Sequence, residues 1–98
     1  MAFAEEMIVP LRRLAKKLIE FEMYPDLSTV ADLLAAFKSG KWPALSYEDQ
    51  EFYLEKMKST FHPRGMGDSP IGNEPDYEFV LARVNAEYRA IRRKNENA

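Results

Sequence analysis

Met7, Leu11, Leu14, Leu18 and Phe21 recur at spacings of four, three, four and three, which places these apolar side chains on one stripe of an α-helix. Ile8, Ala15 and Ile19 widen the stripe, while Arg12, Arg13, Lys16, Lys17 and Glu20 fall mostly on the other side. Pro10 lacks a backbone N–H and disfavours an α conformation at Val9. The pattern therefore predicts a first helix over about 10–24, with Pro10 in its opening turn, residues 2–8 as a lead-in and Pro25 forcing a stop.

Leu27, Val30, Leu34 and Phe37 share a face, and Ala31, Ala35 and Ala36 favour helix, so a second helix is predicted over 27–39. Asp26 or Ser28 can cap its start, and Gly40 suits the left-handed position just past its end. KWPAL is then a connector in which Trp42 and Leu45 plug the core. Ser46 with Asp49 resembles a capping box, and a third helix follows over 47–61 with Tyr53, Leu54, Met57 and Phe61 inward. A fourth helix is predicted over 75–94, opened by Pro75 and capped by Asn73, Glu74 or Asp76. Its stripe of Tyr77, Leu81, Val84, Tyr88 and Ile91 repeats the spacing of the first. The final NENA is expected to fray. No run alternates with period two long enough to make a strand. The fold class read from the pattern is all-α: a compact bundle of four helices, one domain over 1–98, with an irregular loop at 62–74 before the last helix.

Composition narrows the chemistry. The 98 residues carry a net charge of −2 and no cysteine, which removes disulfides and thiolate metal sites and disfavours nucleic-acid binding by a strongly basic face. Two glutamates stand near the N-terminus where a secretory signal would carry lysine or arginine, and no apolar stretch is long enough to span a membrane. A cytoplasmic protein is the expectation. A chain of this size buries a small core, so a homodimer formed along the two apolar stripes is open to it.

The loop HPRGMGDSPIGNEP holds three of the four glycines, three of the six prolines and the one histidine. It has neither the Gly-Lys-Ser/Thr ending of a P-loop nor G-x-G-x-x-G, and no strand precedes it, so a nucleotide cradle is not supported. Loops between packed helices need only about 2–8 residues. The extra length here marks either a plug packed on its own domain or a surface offered to a partner. His62 has no fixed nucleophile or acid in the pattern beside it, and its place after the third helix suits capping. The reading assigns no catalytic residue, no cofactor and no metal ligand. Glu48, Asp49, Glu51 and Glu55 form a helix face suited to its dipole or to a basic partner.

The LRRLAKKLIE first helix, the acidic middle, Gly65–Met66–Gly67 within GMGDSPIG and the closing NAEYRAIRR helix resemble a family of small bacterial helical proteins with a Gly-Met-Gly loop. Some proteins of that kind are akin to the immunity proteins of toxin systems. The resemblance spans residues 11–93, implies a protein-binding role and carries over no catalytic residue. The expected function is binding of a protein partner, most concretely neutralisation of a cognate antibacterial toxin. The expected contacts are Tyr47, Glu48, Asp49, Glu51, Glu55, Arg64, Met66 and Asp68. The alternative is a dimeric nucleic-acid-binding regulator using Arg89, Arg92, Arg93 and Lys94 of the last helix.

Overall fold

The structure is a computed structural model that describes residues 2–62 and 68–97. Four α-helices follow one another: α1 (Phe3–Glu20), α2 (Tyr24–Lys38), α3 (Tyr47–Thr60) and α4 (Pro75–Glu96). Short 3₁₀ turns at Trp42–Ala44 and Pro70–Asn73 lie between them, and none of the described residues forms a strand. The all-α bundle expected from the apolar spacing is therefore the fold observed.

Helix α1 starts at Phe3, not at Pro10, and carries the proline inside it. The reason is burial. The stripe continues backwards from Met7 to Phe3, and both side chains are buried in the core together with Leu11, Leu14 and Leu18. A proline inside a helix costs about 3 kcal/mol, whereas burying a large apolar side chain returns about 1.5–3 kcal/mol. Two such side chains offset the loss. Phe3 stacks edge-on to Phe37 with ring centroids 5.7 Å apart and lies 5.6 Å from Trp42, which binds the first turn to α2 and the connector.

The end of α1 also differs from the pattern's prediction. It stops at Glu20 because Glu22 takes a left-handed conformation, φ 57°. The Met23 N–H then donates to the Leu18 carbonyl at 2.9 Å and the Glu22 N–H to the Ile19 carbonyl at 3.1 Å. Those two bonds are a Schellman ending, built on a glutamate where a glycine is usual. Phe21, placed on the stripe by spacing alone, falls past the helix and is exposed. Helix α2 consequently opens at Tyr24 with Pro25 in its first turn, and neither Asp26 nor Ser28 caps it. Its other end behaves as expected: Gly40 has φ 74° and donates its N–H to the Phe37 carbonyl at 3.3 Å.

Ser46 accepts the Asp49 N–H at 3.1 Å and fixes the start of α3. From there Gln50, Leu54, Met57 and Phe61 point inward, a four-three-four stripe with a glutamine in its first place. The Gln50 amide is satisfied because Nε2 donates to the Trp42 carbonyl at 2.8 Å, so the buried polar group also holds the connector. Helix α4 extends to Glu96, two residues beyond the predicted end. Asn95, expected to fray, donates to the Tyr47 carbonyl and to Glu51 Oε2, both at 3.2 Å.

Helix α1 packs on α2 and on α4, α3 packs chiefly on α4, and α2 meets α3 only lightly. The four helices thus close a ring whose α1/α4 edge lies opposite its α2/α3 edge. Ile71, in the second 3₁₀ turn, is fully buried, so this described part of the long crossing is a plug. Tyr77 closes the same region by donating its hydroxyl to the Phe61 carbonyl at 2.9 Å.

Candidate functional site

Ser46 fixes where α3 begins, and packing against α4 and α2 decides which of its side chains face out. Glu48, Asp49 and Phe52, spaced three and four apart, share the outer face. Glu48 and Asp49 are exposed, and the Phe52 ring is 66% exposed, more than any other large apolar side chain described. Phe52 meets Tyr53 edge-on at 6.3 Å, and Tyr53 meets Trp42 at 6.1 Å. Tyr53 and Trp42 line a mostly apolar notch of about 330 Å³ with Ala35, Ala36 and Leu45, and Ser39 and Lys41 complete its wall, on the α2/α3 edge. An apolar ring, two carboxylates and an apolar recess therefore adjoin one another.

The expected contact residues divide. Tyr47 is 45% exposed, with the Lys94 ammonium 5.1 Å from its ring centroid. Glu51 turns toward α4, where it accepts from Asn95 and lies 3.8 Å from Arg92 Nε. Glu55 accepts the Tyr88 hydroxyl at 3.0 Å. Both carboxylates thus clamp α3 to α4, and Glu48 and Asp49 are left as the outward acidic pair. Burial first, and then the bond to Glu55, raises the Tyr88 hydroxyl above its ordinary pKa. Asp68 is exposed beside Tyr77, whose pKa is raised by burial and then by that carboxylate. Tyr77 adjoins Phe61, past the far end of α3 from Glu48, and a helix of fourteen residues spans about 21 Å. The structure therefore does not bring Asp68 to the acidic pair. Arg64 and Met66 lie outside the described residues.

Phe52 is the residue that sequence reasoning missed. In Phe52-Tyr53-Leu54 three apolar residues run together, and one helix face cannot take all three. The one signal available was the Leu54, Met57, Phe61 spacing, which puts Phe52 off the buried stripe.

On α4, Arg92 lies between Glu51 and Glu96, 3.8 and 3.7 Å away, while Arg89, Arg93 and Lys94 are exposed. His62 stands just past Phe61, the residue that caps the end of α3, and is exposed. Among the described residues no group of three or more His, Cys, Asp or Glu is placed to hold a metal ion. No helix among them is long and apolar enough to cross a membrane. The chain matches no family model, and no curated protein or solved structure matches it.

Proposed function

We propose that this chain is a cytoplasmic protein-binding protein that docks through the outer face of α3, and most concretely an immunity protein that neutralises a cognate antibacterial toxin by direct binding. The observation that supports it is Phe52, a phenylalanine presented to solvent beside two outward carboxylates and an apolar notch. Fully burying such a ring stabilises a complex by about 1.5–3 kcal/mol, and aromatic anchors of this kind dominate protein interfaces. Glu48 and Asp49 add attraction for a basic surface, which speeds encounter more than it tightens the complex. The toxin assignment rests on the resemblance over residues 11–93 and on the fit of an acidic face to a basic enzyme.

The experiment is co-expression with a toxin encoded beside the gene, reading survival of the cells and the affinity of the purified pair. Phe52→Ala is expected to weaken binding by about tenfold or more. Glu48→Lys with Asp49→Lys is expected to slow association, with a smaller effect at high salt. Equal binding by wild type and both variants rules out the α3 face. Cells left unprotected by the wild-type chain rule out the immunity role.

A further inference from the structure

The opposite edge of the bundle carries a second surface. Helices α1 and α4 run antiparallel there and are joined by two ion pairs. Arg83 reaches Glu6 Oε2 with Nη2 at 2.7 Å and Nε at 2.8 Å, and Arg13 Nη2 lies 3.1 Å from Asp76 Oδ1. Between these pairs is an open groove of about 590 Å³, floored in part by Pro10 and Pro75. Val9 and Phe79 stand in it 53% and 46% exposed. Neither belongs to the buried stripes, whose residues face the core and cannot form the dimer seam that spacing alone allowed.

We infer that this groove pairs with a second copy of the same chain, the Phe79 ring of each copy lying over Val9 and Pro10 of the other. The charge arrangement supplies the argument. Along α1 the face reads acid then base, Glu6 to Arg13, and along the antiparallel α4 it reads base then acid, Arg83 to Asp76. The four ion-paired charges therefore alternate around the rim, and Glu5 adds a further acid beside Glu6. A twofold rotation about an axis in the face and parallel to the helices sets Glu6 over Arg83 of the other copy, and Arg13 over its Asp76. Each of the four ion-paired residues then faces an opposite charge, and a large apolar side chain meets a small one. A surface that complements itself in this way is what an isologous dimer requires. Arg13 is mostly exposed, and a guanidinium has donors to spare for a second carboxylate. The outer face of α3 and its notch stay open in this arrangement, since they lie across the bundle.

Analytical ultracentrifugation of the full chain, from about 1 µM to about 1 mM, tests the pairing. The wild type is expected to show a monomer–dimer equilibrium that weakens with salt. Val9→Glu and Phe79→Glu should each raise the dissociation constant by about tenfold or more, with unchanged circular dichroism because both positions are half exposed. The exchanged chain Glu6→Arg with Arg83→Glu keeps its internal ion pair and should still pair with itself. Mixed with the wild type it should sort away from it, since mixed dimers set like charges face to face. A wild type that stays monomeric at about 1 mM overturns the inference and leaves the groove to another partner. Dimers that survive both glutamate variants, or that mix at random with the exchanged chain, overturn it as well.

Discussion

Removing one oxygen, by Tyr77→Phe, tests how the crossing between α3 and α4 is secured. The Tyr77 hydroxyl donates to the Phe61 carbonyl at 2.9 Å, and both residues are buried, their rings 6.0 Å apart. Phenylalanine keeps the ring and its packing, so no cavity opens. The variant loses this hydrogen bond and leaves its buried carbonyl without the hydroxyl donor, which costs at least the bond's net value of about 1 kcal/mol. The expected loss is about 1–2 kcal/mol, against a total stability of about 5–15 kcal/mol for a domain of this size. In a thermal melt this reads as a fall in Tm of roughly 5–15 °C. Urea denaturation followed by circular dichroism should show a lower midpoint at unchanged slope, because the surface exposed on unfolding is the same. Tyr88→Phe is the control: its hydroxyl meets an exposed carboxylate of Glu55, and its loss should stay within about 0.5 kcal/mol. A Tyr77→Phe chain as stable as the control would refute the reasoning and place the hold on the crossing elsewhere, in the buried Ile71.

Three further outcomes are expected. Glu22→Gly should stabilise the chain by about 0.5–1 kcal/mol in urea titration, because the left-handed strain at φ 57° exceeds the entropy glycine loses on folding. Gly40→Ala should cost about 1–2 kcal/mol by the same measurement; nothing lies within 4 Å of the added methyl, so the loss is that of backbone conformation at φ 74°. Tyr77 and Tyr88 both have pKa values raised above 10.0 in the folded chain, so the unfolded chain loses these protons first. The stability they contribute is intact below pH 10.0 and falls as pH rises above it toward their folded values. An alkaline series of melts should show that decline, and Tyr77→Phe should show a shallower one.

Local spacing was enough for the number of helices, their order and about half of their ends. Apolar residues at three and four apart predict a helix wherever the chain sits, and Ser46 and Gly40 act on backbone groups within four residues of themselves. The two ends of α1 departed furthest from that local logic. Pro10 reads as a helix start, yet burial of Phe3 and Met7 carries α1 through it. Glu22 reads as one more helical residue, yet it takes the left-handed ending because Pro25 and the packing of α2 on α1 require a sharp reversal. The phase of the stripes is the other gap. Leu33 and Val80 are fully buried while Leu34 and Leu81, each one residue further on, are only partly buried against the core.

The candidate contact surface was legible as an acidic run and no further. Glu48, Asp49, Glu51 and Glu55 look alike in sequence; two of them belong to the clamp between α3 and α4 because a helix turns by about 100° per residue and α4 lies along one side of it. Phe52 and Phe79 lie off the stripes read from spacing, and spacing alone does not say whether a neighbour covers them. By itself the sequence determined the helices, through the periodicity of the backbone and the chemistry of its turns. Only the tertiary structure decided which arc of each helix is covered, because that depends on where its neighbours, distant in the chain, come to lie.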